Sequence, residues 1–178
     1  MRQLISPQEI EDGVDRLAED VRQTYGNQPL TVVGILTGSI VLLADLIRQL
    51  NMPLRIGLLQ ASSYRGKATT RSALKIKANL LPDLKDRHVL VVDDIFDTGH
   101  TLVEVIAQLA QHHPASIRSA VLLKKEGRCE VAIEPDLAVF DIPNEFVVGY
   151  GLDYDDMYRD LPYIAVLEED DIRRSRDG

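Results

Sequence analysis

The chain is predicted to fold as an α/β protein: a mostly parallel sheet with helices on both faces and a small hood lobe built from the chain ends. Two observations predict the layers. Apolar runs of strand length alternate with segments of helical spacing through the middle of the chain, and that order builds βαβ units with right-handed crossovers. The strongest run, Val89-Leu90-Val91-Val92, is apolar on consecutive residues, as a strand covered on both faces must be. Length supplies a third constraint, because 178 residues fit one domain, taken here as 1–178.

The elements follow in order. Ser6-Pro7-Gln8-Glu9 opens a helix with a capping serine, a proline suited to the first helical position and a glutamate able to close a capping box. Ile10, Val14, Leu17, Ala18 and Val21 continue it at helical spacing, and Gly26-Asn27 stops it. Residues 30–36 read as a buried strand, Thr37-Gly38-Ser39 as a tight turn, 40–50 as a helix and 54–59 as a strand. Residues 61–72 are polar and too long for an idle turn, so a mobile functional loop is expected, with 74–78 as its returning strand. Strands are expected at 88–92, 117–123, 137–140, 146–148 and 164–167, and a helix at 101–111. The first helix and the last segments are expected to form the small extra lobe. The charged tail from Glu168 is expected to fray.

Hydrophobic residues make up 45% and charged residues 27%, so a folded soluble protein is expected rather than a disordered one. The net charge is 20 − 28 = −8, which argues against nucleic acid as a partner while leaving room for a local cleft that takes a phosphorylated small molecule. Cys129 is the single cysteine, so no internal disulfide forms; this agrees with a cytoplasmic location and a free thiol without a role. No apolar run reaches membrane-spanning length, and no membrane partner is expected.

The most informative stretch is Val89-Leu90-Val91-Val92-Asp93-Asp94-Ile95-Phe96-Asp97-Thr98-Gly99-His100-Thr101. A buried strand ends in two carboxylates, and a short Asp-Thr-Gly loop leads into a helix. Ligands of parallel sheets bind beyond the carboxyl ends of the strands. The amides of the following helix can hold a phosphate, Gly99 lets the backbone approach it, and the Thr98 and Thr101 hydroxyls can donate to it. Asp93 and Asp94 suit a sugar diol or a hydrated Mg²⁺ and must keep clear of a bare phosphate. Read alone, Asp97 could also be only a helix cap. No Gly-x-x-x-x-Gly-Lys-Ser/Thr occurs, which speaks against Walker-type nucleotide binding.

Two flanking signals lie on the same rim. Leu36-Thr37-Gly38-Ser39 ends a strand and opens a helix, so its amides could hold a second anion, although an ordinary connection has the same pattern. Lys124-Lys125 ends another strand, and Phe146 opens the run Phe146-Val147-Val148-Gly149-Tyr150-Gly151-Leu152-Asp153-Tyr154-Asp155-Asp156-Met157-Tyr158-Arg159-Asp160-Leu161-Pro162. A flat base could stack on the ring of Phe146. A lysine ammonium only donates, so it suits a 6-oxo group and opposes a 6-amino group. Composition alone favours a core Phe146 and a solvated Lys125.

The stretch from Val89 to Thr101 resembles the PRPP-binding motif of type I phosphoribosyltransferases, PRPP being phosphoribosyl pyrophosphate. The run from Phe146 to Pro162 resembles, more specifically, the hypoxanthine-guanine members of that family; the likeness covers residues 30–167. The resemblance implies that Asp93 and Asp94 hold the ribose hydroxyls and that Asp97, Thr98, Gly99, His100 and Thr101 cradle the 5′-phosphate. It implies pyrophosphate contacts at Thr37, Gly38 and Arg159, with backbone amides acting at Thr37, where some members carry a basic residue. Phe146 would stack on the purine, Val147 backbone groups would meet its edge, and Lys125 would meet the 6-oxo group. Asp153 would help hold Mg²⁺, with Asp93 and Asp94 as further ligand candidates, and Ser63-Tyr64 would close over PRPP as part of a lid.

The reaction so implied is displacement at the anomeric carbon: purine N9 attacks, pyrophosphate leaves, and Asp97 exchanges a proton near purine N7 as the catalytic residue. The expected product is IMP or GMP, and a homo-oligomer, dimer or tetramer, is expected. The rivals are a transferase preferring xanthine and a nucleotide-sensing RNA-binding regulator of the same fold. The acidic charge counts against the regulator.

Overall fold

The structure, a computed structural model, describes residues 1–63, 74–168 and 171. Its elements in chain order are β1 (Arg2–Ile5), α1 (Pro7–Tyr25), β2 (Leu30–Leu36), α2 (Ile40–Leu50), β3 (Leu54–Ser63), β4 (Leu74–Leu80), β5 (His88–Phe96), α3 (His100–Ala110), β6 (Ser116–Lys125), β7 (Leu137–Ile142), β8 (Val147–Val148) and β9 (Ile164–Val166). They form a six-stranded sheet in the order β4-β3-β2-β5-β6-β7 and a three-stranded sheet in the order β1-β9-β8. In the large sheet every neighbouring pair is parallel except β3 with β4.

The alternation within strands sorts the core into two layers. Leu30 and Val32 of β2, Leu90 and Val92 of β5, and Ala120 and Leu122 of β6 face α1 and α2. Val33, Val91 and Val121, one residue out of step, face Leu102, Val105 and Leu109 of α3. Successive strand residues point to opposite faces, so this division follows directly from the period of two. Each fully buried leucine or valine contributes about 1.5–3 kcal/mol over its exposed state.

The capping box at α1 is present: Glu9 N donates to Ser6 Oγ at 3.3 Å, and Ser6 N donates to Glu9 Oε2 at 2.8 Å. Such a cap is worth about 1 kcal/mol. Its carboxylate is held below the usual range by the Ser6 hydroxyl and then the Ser6 amide.

The extra lobe differs from expectation in one respect. It consists of β1, β8 and β9, whereas α1 lies on the large sheet, packed against α2 and β7. Gly13 explains the fit, because an added Cβ there would stand 2.5 Å from Val139 Cγ1 and 2.8 Å from Phe140 Cζ. Strand β1 carries no signal in the sequence. Its four residues pair with β9 at Arg2↔Val166, a partner at the other end of the chain.

Candidate active site

Strands β2, β5 and β6 end on one rim, and the loops that follow them build two adjoining cavities. The first, about 280 Å³, is lined by Gly38, Asp93, Asp94, Thr98, Gly99 and Thr101, among others. The second, about 230 Å³, is lined by Lys125, Phe146, Val147, Leu152 and Asp153. Asp94, Ile95 and Asp97 line both. A ligand of two connected parts can therefore lie across this shared wall.

The loop expected to hold phosphate leaves β5 at Phe96 and enters α3 through Gly99, whose φ of 88° lies in the left-handed region that favours glycine. A Cβ there would also meet Val131 Cγ2 at 2.4 Å and Phe96 Cζ at 2.8 Å. Gly99 is the cap residue, and no side chain caps the helix. The reading of Asp97 as a helix cap is thereby excluded, and the first-turn amides have no side-chain cap. Helix α2 likewise lacks a side-chain cap, since the buried Ser39 hydroxyl donates back to Ile35 O at 2.6 Å. The peptide joining Leu36 to Thr37 is cis, and the Thr37 side chain is exposed.

Asp93 and Asp94 end the buried part of β5. Asp94 N donates to Asp93 Oδ1 at 3.0 Å, and Ile95 N donates to Asp94 Oδ1 at 2.8 Å. Burial raises the pKa of both carboxyls above the usual range, and for Asp93 the neighbouring Asp94 charge raises it further. The backbone of Gly38 closes over this pair so tightly that a Cβ would stand 1.6 Å from Asp94 Oδ2.

Asp97 faces two cations. Arg128 Nε donates to its Oδ1 at 2.8 Å, and Lys125 Nζ stands 3.6 Å from its Oδ2. The sequence gives no hint of the Arg128 contact, which spans 31 residues. Gly127, at φ 66°, turns the chain just past the cationic end of β6. His100, expected in the cradle, has its ring Nε2 on Glu130 Oε2 at 3.0 Å.

The second cavity inverts the composition-based reading of its aromatic and its lysine. Phe146 is 50% exposed, and its ring is propped edge-on by Tyr154 at 5.6 Å and 89°. The Lys125 side chain is 11% exposed, whereas Lys124 pairs outward with Glu134 at 2.8 Å. Among cavity walls, an exposed ring beside a sheltered ammonium is what a flat, carbonyl-bearing ligand requires. Val147 and Leu152, both buried, complete the apolar wall.

Arg159 sits between the two carboxylates of its own loop, 2.8 Å from Asp153 Oδ1 and 3.3 Å from Asp156 Oδ1, and donates to Gly151 O at 2.7 Å. Asp156 thus has a structural partner that the sequence did not suggest. Ser63 ends β3, while Tyr64 and the rest of the expected lid through residue 72 lie outside the described residues.

With this geometry in hand, the comparisons agree among themselves. The phosphoribosyl transferase domain family matches residues 2–155. The hypoxanthine-guanine phosphoribosyltransferase of Streptococcus pneumoniae strain R6 is 42% identical over 94% of this chain and 93% of its own length. The hypoxanthine phosphoribosyltransferase of Haemophilus influenzae is 41% identical over 93% and 96%. Among solved structures, a Bacillus anthracis hypoxanthine-guanine phosphoribosyltransferase with HEPES in its active site superposes with a TM-score of 0.89, at 33% identity over 94% of this chain and 99% of that one.

Proposed function

This chain belongs to the phosphoribosyl transferase family, and from that premise we propose the part each site residue takes in its reaction. The reaction is transfer of the 5-phosphoribosyl group from PRPP to hypoxanthine or guanine, with release of pyrophosphate. The observation that carries the assignment of roles is the shared wall of the two cavities, with a phosphate loop on one side and a base platform on the other.

The 5′-phosphate sits on the amides and hydroxyls of Asp97, Thr98, Gly99, His100 and Thr101, where the helix end favours negative charge. The ribose hydroxyls bond to Asp93 and Asp94. The purine stacks on Phe146 and meets Val147 backbone groups at its edge. Purine O6 and N7 lie on one edge of the base. Lys125 and Asp97, 3.6 Å apart, match that pair as donor and proton acceptor. As N9 attacks the anomeric carbon, the N7 proton passes to Asp97, and the developing positive charge on the sugar is stabilised by the nearby carboxylates. Pyrophosphate departs toward Gly38, the Thr37 amide and Arg159.

The residues fit a divalent cation. Asp93 is buried, Asp94 is half-buried beside it, and both resist ionisation, which a cation or sugar hydroxyls would relieve. Asp153 reaches the same region from the second cavity. Among the described residues no three ligating side chains gather, so substrate oxygens and water would complete the shell, as Mg²⁺ prefers. We assign Asp153 as the principal protein ligand, with Asp93 and Asp94 reached through the ribose. When bound, the ion supplies charge neutralisation for the leaving pyrophosphate.

We propose a cytoplasmic homo-oligomer. Cys129 is free and exposed, no helix among the described residues is long and apolar enough to cross a membrane, and Ile40 and Ile56 are exposed apolar residues suited to a subunit contact. Light scattering with Ile56→Asp checks the assembly. The functional assay is a base panel with PRPP and Mg²⁺: IMP and GMP should form, and pyrophosphate release with uracil or orotate alone would overturn the reading.

A further inference from the structure

The Tyr150 hydroxyl donates to Asp45 Oδ2 at 2.6 Å, a bond between residues 105 apart in sequence. It ties the loop that carries Asp153 and Arg159 to helix α2, which starts directly after the Thr37-Gly38-Ser39 turn. Asp45 lies five residues into that helix, about 8 Å from its start. Burial and then the Asp45 contact push the tyrosine pKa up, so the hydroxyl stays a donor at neutral pH.

Three further features make this bond more than a surface contact. Tyr150 holds a φ of 49° between Gly149 at 101° and Gly151 at 99°. A bulky residue in the left-handed region is strained and persists only where its surroundings impose it. Next, Gly151 lies against the turn so closely that a Cβ would stand 2.2 Å from Gly38 O. Finally, Gly151 is bonded to Arg159 on both sides: its amide donates to Arg159 O at 3.0 Å and its carbonyl accepts from Arg159 Nη1 at 2.7 Å. Displacing Tyr150 therefore displaces the turn contact and the guanidinium together.

We propose that Tyr150 and Asp45 are positioning residues for the pyrophosphate half of the site, acting as a strut that sets the distance between the Gly38 turn and Arg159. This rests on the reading of Gly38 and Arg159 as pyrophosphate contacts. Neither strut residue lines the two active-site cavities. Both instead line a separate cavity of about 260 Å³ with Arg48 and Gln49 of α2 and several residues of α1. Arg48 holds the other carboxylate oxygen of Asp45 at 2.6 Å. That cavity opens to solvent, so water can reach Asp45 when the tyrosine hydroxyl is removed, and the fold is expected to survive the change.

The test compares Tyr150→Phe, Asp45→Ala, Asp45→Asn and Arg159→Ala in both reaction directions. Tyr150→Phe and Asp45→Ala should each raise the KM for PRPP and for pyrophosphate about ten-fold, the size of one lost hydrogen bond to a charged group. The KM for hypoxanthine should move much less. Asp45→Asn should sit near wild type, because its amide oxygen still accepts from the tyrosine, and the Tyr150→Phe/Asp45→Ala double variant should be no worse than the worse single. Equal rises for PRPP and hypoxanthine, or Asp45→Asn as impaired as Asp45→Ala, would overturn the strut. If Arg159→Ala raises the PRPP KM while Tyr150→Phe leaves it unchanged, the strut fails and the pyrophosphate reading stands. If neither variant moves it, both fail.

Discussion

Arg128 Nε holds Asp97 Oδ1 at 2.8 Å, so the carboxylate proposed as proton acceptor is oriented before any base arrives. A single donor on one oxygen leaves Oδ2 directed to the Lys125 side, toward the cavity proposed for the base. Preorganisation of this kind lowers the reorganisation needed during reaction.

The first prediction concerns that carboxylate. Asp97→Asn keeps the size but loses most of its capacity to accept a proton. We expect kcat to fall by roughly 10²–10⁴-fold, the usual range for a positioned acid or base, with a much smaller change in the KM for PRPP. Initial rates with hypoxanthine check this, and unchanged turnover would remove Asp97 from the chemistry.

Lys125→Ala should reduce kcat/KM for hypoxanthine and guanine while the thermal midpoint stays close to wild type. A site built around a polar group can discriminate by up to roughly 10⁴-fold. Wild-type kinetics with both bases would show that the sheltered ammonium does not read the 6-oxo group, and Lys124 would be tested next.

Gly38→Ala should abolish measurable PRPP binding by calorimetry. The added methyl would need to occupy the place of Asp94 Oδ2, 1.6 Å away, and Asp94 is fixed by the Ile95 amide. Either the turn or the carboxylate must leave its position, and both are proposed to contact PRPP. Normal affinity in this variant would contradict the assigned role of the turn.

The acid pair gives a stability prediction. Burial raises the folded-state pKa of Asp93, so the folded protein favours its neutral form. Its contribution to stability is fully present below the ordinary carboxylate range and is lost as pH rises through the raised value. Asp93→Asn, which keeps an oxygen for the Asp94 amide, is neutral at every pH. Urea unfolding should therefore find the variant more stable than wild type at pH 7, with the difference shrinking toward pH 4. A gap that is constant across that range would show that Asp93 does not carry the buried charge.

Much of this protein was determined locally. The α1 cap, the two-faced strands and the phosphate loop depend on residues close in sequence, where side-chain period, capping chemistry and a left-handed glycine act over a few positions. Asp93, Asp94 and the loop to Thr101 were legible for that reason, and so was the common rim, because parallel strands all end on one side.

Tertiary structure decided what depends on distance through space. Composition allowed a buried Phe146 and a solvated Lys125; packing exposed the ring and sheltered the ammonium, because β6 turns Lys125 inward and Lys124 outward. Strand β1 exists only because β9 offers it an edge, and α1 rests on the sheet because Gly13 leaves room for Val139 and Phe140. The contacts of Arg128 with Asp97 and of Tyr150 with Asp45 join residues 31 and 105 positions apart. Local propensity and period act over a few residues, and a contact of that reach has no signature until the chain is folded.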